Sequence, residues 1–245
     1  MKRQLFLASS ISAIAGCAGI SNKLNDNPTI HKIIGSAQGL DHAVIGTRGR
    51  ARLYSERDID RNFRTNGFDT PSDATYGGLA RDGFARYALA VDGEVERPHQ
   101  FSLAQLRALA SLRQITRHDC VEGWSAIGEW NGVPLARFLA LVRPTARARY
   151  VVFHCFDRAP DGTPYYESLD IVEAAHPQTL LALDLNGKPL DPAHGAPVRL
   201  RIPTQLGYKS AKWIERIQLA ARLEGIFGGG GGYWEDNGYE WYAGI

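Results

Sequence analysis

The stretch RHDCVEGWS, residues 117–125, sets one cysteine among charged residues, glycine and tryptophan. A cysteine that only packs usually sits among aliphatic neighbours, and a disulfide cysteine needs a partner. The chain has two others, Cys17 and Cys155, both remote in sequence from Cys120. A thiolate is a soft ligand, suited to copper, zinc, iron–sulfur clusters or a sulfur-ligated molybdenum. Neither a Cys-x-x-Cys nor a His-x-x-x-His spacing occurs, which argues against a zinc site. A second stretch, PVRLRIP, alternates Val198, Leu200 and Ile202 with Arg199 and Arg201, predicting a strand with one buried and one basic face. A third, QLGYKSAKW, brings Gly207, Lys209, Ser210 and Lys212 together at a predicted helix start. Backbone N–H groups, a hydroxyl and two ammoniums there suit a phosphate. Thiolate and phosphate cradle together point to a phosphorylated, metal-bearing organic cofactor.

Several elements must position these groups. Phe84, Tyr87, Leu89 and Val91 predict a strand that closes in a tight turn at Asp92-Gly93. In FSLAQLRALASL, Ser102 reads as a helix cap ahead of Leu103, Leu106 and Leu109 at helical spacing. A second helix follows Gly132-Val133-Pro134, with Leu135, Phe138, Leu139 and Val142 as its inner stripe and Pro144 as its stop. ARYVVFHCFD is β-branched and aromatic, and Asn186-Gly187 marks a hairpin. KSAKWIERIQLA reads as a short helix running into a strand. Short helices among many strands predict a mixed α+β domain.

The chain has 245 residues, 28 of them basic and 26 acidic. That balance argues against a nucleic-acid partner, which needs a concentrated basic surface. Lys2 and Arg3 precede an apolar run from Leu5 to Ile14. This is the layout of an export signal, too short to span a bilayer permanently. Ile14-Ala15-Gly16-Cys17 resembles a lipoprotein box in which Cys17 takes lipid; ordinary cleavage after Ala13 or Ala15 is the alternative. Lys2-Arg3-Gln4-Leu5-Phe6 also resembles a twin-arginine export signal. The expected organisation is a signal over 1–17, a polar tether over 18–54 and one domain over 55–245. In an exported chain a Cys120–Cys155 disulfide is the plain alternative to a ligand role for Cys120.

DCVEGWSAIGEW resembles the molybdenum-ligand segment of the sulfite oxidase family of molybdopterin enzymes, and HGAPVRLRIPTQLGYKSAKWI resembles that family's pterin-phosphate segment. FSLAQLRAL, WNGVPLARFLALV and GGYWEDNGYEWYAGI fit the haem-free bacterial members in the same order. The resemblance implies an α+β sulfite oxidase-type molybdopterin-binding domain holding molybdenum in a single pterin dithiolene. It implies Cys120 as the protein thiolate on the metal. It also implies Asn66, Cys155, His194, Arg199, Ser210, Ala211 and Lys212 beside the cofactor.

The chemistry implied is oxygen-atom transfer in a periplasmic enzyme. Sulfite-oxidising members carry an arginine just before the asparagine matched by Asn66, where this chain has Thr65, with Arg64 one residue further. CVEGWS is similar to the CVEAWS-type segment of the family's methionine sulfoxide reductases. S-oxide or N-oxide reduction is therefore expected ahead of sulfite oxidation, with a non-catalytic lipoprotein binding domain as the remaining alternative. The sequence holds no haem or cluster motif, so electrons are expected from a b-type haem membrane subunit or a c-type cytochrome.

Overall fold

Alternating burial and a few well-placed turns sort the chain into two sheets. The computed structural model describes residues 49–159 and 161–245. The expected export signal, Cys17 and the tether as far as residue 48 lie outside these described residues. Helix α1 (Ala74–Arg81) starts where the Asp73 side chain accepts from the Tyr76 N–H at 2.9 Å. Strand β1 (Ala88–Gly93) buries Leu89 and Val91. After β2 (His99–Ser102), Ser102 and Gln105 form a capping box that starts α2 (Leu103–Leu109). Strands β3 (Leu112–Cys120) and β4 (Trp124–Pro134) make a long hairpin. Helix α3 (Leu135–Val142) buries the predicted stripe Leu135, Phe138, Leu139 and Val142. It stops at Arg143, left-handed at φ 54°, ahead of Pro144.

The second half is mostly strand. β5 (Tyr150–Arg158) and β6 (Pro164–Asp170) lead into the single turn α4 (Ile171–Ala174). β7 (Leu180–Leu185) and β8 (Lys188–Pro189) are joined by Asn186 and Gly187 at φ 51° and 75°, the positive values that a two-residue hairpin turn requires. β9 (Arg199–Arg201), β10 (Ile214–Ala220) and α5 (Tyr233–Asp236) complete the order. One sheet runs β2-β1-β10-β5-β6, with β1 parallel to β10; the other runs β3-β4-β7-β8, with β9 antiparallel on β7. The largest apolar cluster collects Leu89, Phe138, Val151, Phe153, Leu200 and Ile217 among others. The mixed sheets with few short helices bear out the expected α+β class.

Four expectations need correction in detail. Asp92-Gly93 is not a two-residue hairpin turn: Gly93 is the last residue of β1, opposite Leu219, its carbonyl accepts from the Val95 N–H at 2.8 Å, and a Cβ there would meet the Leu219 carbonyl oxygen at 2.1 Å. The Arg face of β9 is not a solvated face. Val198, Leu200 and Ile202 enter the main core, while Arg199 and Arg201 on the opposite face are also fully buried, because that face packs against the Trp130 ring. In KSAKW the helix is a single 3-10 turn, Gly207–Lys209, and Trp213 is left-handed at φ 53° before β10 begins. Residues at the end of the expected tether are tied to the domain: the Ala51 N–H donates to Gln178 Oε1 at 2.9 Å, and Gln178 Nε2 donates to the Ala51 carbonyl at 3.0 Å.

Behind the first sheet, Lys209 is fully buried between Glu167 and Glu235 and donates to both. Burial pushes the Glu167 carboxyl well above its ordinary range, Lys209 pulls it back and Glu235 adds to the push. This triad pins α5 and the C-terminal segment onto β6. Lys209→Met strands two buried carboxylates without their cation. The expected loss is about 3–5 kcal/mol in urea unfolding. Buried acids with raised pKa values cost stability as pH rises, so the loss is expected to be greater at pH 8 than at pH 5.

Candidate active site

Cys120 stands at the tip of the β3–β4 hairpin, opposite Trp124. Gly123, at φ 84°, lets the turn close with its N–H on the Cys120 carbonyl at 3.1 Å. Glu122 fastens this tip in two directions. Its Oε2 accepts from Trp124 Nε1 at 2.8 Å, and its Oε1 accepts from the Gly67 N–H at 3.3 Å. The second bond brings the Asn66–Phe68 segment against the hairpin. The Cys120 thiol is half-buried and raised from its ordinary value by burial; the Glu122 backbone N–H pulls it down, the Glu122 charge pushes it up, and Arg64 and Arg199 oppose that push.

Arg199 is the hub behind this tip. Its Nη1 donates to the His194 carbonyl at 3.1 Å, and its Nη2 donates to the Ser210 carbonyl at 3.1 Å and to Asn66 Oδ1 at 3.5 Å. Lys212 Nζ donates to the carbonyls of Asn66 at 2.7 Å and Ala193 at 3.1 Å, and to that of Phe68. Burial, with Arg199 adding to it, pushes the Lys212 ammonium down to about 7, against the pull of Asp157, Asp69 and Asp191. Burial also lowers Arg199 to about 10 and, with Arg199 beside it, Arg201 to about 9.

A cavity of about 420 Å³ opens in front of these groups. Asn66, Cys120, Ser210, Ala211 and Lys212 line it, with Asp157, Tyr165 and Trp213 on its walls. Phe68, Val121, Trp234 and Tyr239 are exposed apolar side chains that also line it. Five of the eight sequence-predicted residues thus meet in one cavity, and Arg199 supports them from behind.

The other two lie elsewhere. The His194 ring lines a second, more polar cavity, with Nδ1 at 2.7 Å from Asp191 Oδ1 and Nε2 at 3.0 Å from the Phe63 carbonyl. Only its backbone carbonyl reaches the first cavity's support, through Arg199. Cys155 is buried in the main core, with its Sγ 3.8 Å from the Phe153 carbonyl. The register of β5 on β6 shifts between His154 and Arg158, and it is Asp157 that lines the cavity. Cys120 and Cys155 are both free, so the disulfide alternative is set aside.

The residues present fit an anionic, heteroatom-rich group. Among the described residues, Arg199 and Arg201 form no ion pair with a carboxylate, although both are fully buried. Arg199 Nε, Arg201 Nε and Nη1, Trp130 Nε1 and both ring nitrogens of His118 are buried without hydrogen-bond partners. Buried donors and cations are rarely left in that condition. A phosphate answers the charge, and a metal answers the thiolate. Arg201 was marked only as part of a basic strand face, and Trp130, His118 and Asp157 went unmarked in the sequence, because a lone tryptophan, histidine or aspartate reads as scaffold.

Residues 77–225 match the oxidoreductase molybdopterin binding domain family. A putative protein-methionine-sulfoxide reductase subunit YedZ1 from Azospira oryzae is 37% identical over 240 residues, covering 96% of this chain and 82% of that protein. The protein-methionine-sulfoxide reductase catalytic subunit MsrP from Xanthomonas campestris pv. campestris is 34% identical over 232 residues, covering 90% and 69%. The sulfane dehydrogenase SoxCD from Paracoccus pantotrophus aligns with a TM-score of 0.48 at 22% identity, covering 56% of this chain and 39% of that one.

The unpaired Arg201 makes a prediction about the chain without its cofactor. A buried cation with two idle donors is a burden on an empty fold. Arg201→Met is expected to melt no lower than wild type when both are unloaded. A fall of more than about 2–4 °C, the shift that about 1 kcal/mol produces in a domain of this size, would show that the fold itself compensates this charge.

Proposed function

The chain belongs to the oxidoreductase molybdopterin binding domain family and is a molybdopterin-dependent oxidoreductase, and from that premise we propose that it reduces an S-oxide. The observation that carries this reading is the apolar collar of Phe68, Val121, Trp234 and Tyr239 around a cavity that holds Cys120. Such a mouth suits a neutral sulfoxide on an apolar stem. A small dianion such as sulfite would need cations there. Of the two cations that line the cavity, Lys212 has its Nζ engaged with three backbone carbonyls, which leaves Arg158 alone at the wall; Arg64 lays its guanidinium over the Trp124 ring at 5.2 Å and is not among the lining residues. One relative named above is called a protein-methionine-sulfoxide reductase catalytic subunit and the other a putative subunit of such a reductase, which supports the same substrate class.

Cys120 Sγ is the protein ligand to molybdenum in this reading. Ser210, Ala211 and Lys212 would border the pterin phosphate with Arg199 behind them, and Asn66 would be fixed beside it by Arg199 and Lys212. The bound group supplies a metal that exchanges an oxygen atom and two electrons with the substrate. The chain's own residues orient that group, exclude water with the aromatic wall and present the substrate oxygen to it.

Export to the periplasm, with lipid on Cys17 as the anchor, is supported by the amino-terminal pattern. No helix among the described residues is long and apolar enough to cross a membrane. The absence of a haem or cluster motif supports a separate electron donor, a b-type haem membrane subunit or a c-type cytochrome. Anchoring would hold the enzyme close to such a partner.

Cys120→Ser is expected to keep the fold by circular dichroism and to lose sulfoxide turnover by more than roughly 100-fold. That exceeds the 10–100-fold typical of groups that only surround a ligand. Wild-type enzyme, reduced by a viologen dye, is expected to be reoxidised by methionine sulfoxide, and oxidised enzyme should not be bleached by sulfite. Bleaching by sulfite without reoxidation by sulfoxide would reverse the assigned direction.

A further inference from the structure

Reduction of a sulfoxide consumes protons as well as electrons: one sulfoxide, two protons and two electrons give one thioether and one water. The S–O bond breaks, sulfur is reduced by two electrons from the external donor (a reduced viologen in the assay below), and the oxygen leaves as water. A positioned acid in the cavity that hands a proton to that oxygen would speed the step.

Most polar groups of the cavity are already committed. Lys212 Nζ is engaged with three backbone carbonyls. The Tyr165 hydroxyl donates to the Tyr208 carbonyl at 3.1 Å, and the Tyr208 hydroxyl donates to the Glu240 carbonyl at 2.6 Å. Both carboxylate oxygens of Glu122 act as acceptors, for Trp124 and Gly67. Asp157 differs. It lines the cavity, is only 8% exposed, and its buried Oδ1 has no hydrogen-bond partner.

We propose that Asp157 is the acid that delivers one of the two protons to the sulfoxide oxygen. The proposal rests on the S-oxide reading and extends it to a catalytic residue. The irregularity of β5 between His154 and Arg158 places Asp157 in the wall where a regular strand would continue its pairing with β6. Cys155 and Arg158 face it from its own strand, Tyr165 from β6, Lys212 from the turn before β10, and Cys120 and Glu122 across the cavity. Burial raises the Asp157 carboxyl to about 7, with Lys212 opposing. A raised acid keeps its proton below that value and loses it above, so turnover should fall as pH rises.

The test compares wild type with Asp157→Asn, both loaded with cofactor and reduced by viologen, using methionine sulfoxide. Wild-type kcat is expected to fall as pH rises through about 7. The variant should lose kcat on the order of 100-fold and lose that pH limb, with KM and molybdenum content unchanged. Asp157→Glu should restore part of the rate and the limb. In the unloaded chain, ¹³C NMR of labelled aspartates should show a carboxyl titrating near 7 that is missing from the variant. If Asp157→Asn fails to accumulate, Asp157→Ser takes the same measurements. A variant with kcat within about twofold of wild type and the same pH limb overturns the proposal, as does an unloaded chain lacking that carboxyl signal. Wild type that turns over no sulfoxide removes the S-oxide reading and this proposal together; the two preceding results remove the proposal alone.

Discussion

Two guanidiniums, Arg199 and Arg201, are folded into the interior with no ion-paired carboxylate among the described residues. Taking a cation out of water costs several kcal/mol unless something offsets it. Here the compensation within the chain is partial: backbone carbonyls, the Trp130 face at 5.2 and 5.4 Å, and several donors left idle. The remainder must come from outside the chain. An anionic cofactor meets that need, and the proposed ligand role of Cys120, which lines the adjoining cavity, would place its metal there.

Elsewhere the same chain compensates its buried charge fully. Lys209 sits between Glu167 and Glu235, and this pairing holds the C-terminal segment in place. The segment in turn supplies Tyr233, Trp234 and Tyr239 to the cavity wall. A closed ion cluster therefore builds the mouth, and two guanidiniums with no ion pair among the described residues lie behind the cavity. Stability and binding are carried by different charges.

Much of this was legible in the residues. The Ser102 capping box, the α3 stripe and the Asn186-Gly187 turn each follow from local chemistry, and each formed as expected. Cys120 stood out by its unusual neighbours, and the Ser210–Lys212 turn by its density of donors. What escaped depends on packing at a distance. Alternation along β9 showed two faces but could not show that both are interior, since Trp130 is far away in the chain, on β4. The resemblance implied Cys155 beside the cofactor, but the register of that strand shifts, and it is Asp157, two residues on, that borders the cavity. The wall formed by Tyr233 to Tyr239 comes from an irregular, glycine-rich tail with no periodic signal.

The most direct test of the account is X-ray absorption at the molybdenum edge of chain purified with its cofactor, compared with the Cys120→Ser protein. The account predicts that the metal loses one sulfur neighbour in the variant, with the dithiolene pair retained. An unchanged sulfur shell would contradict it, because the thiol at the hairpin tip would then hold no metal.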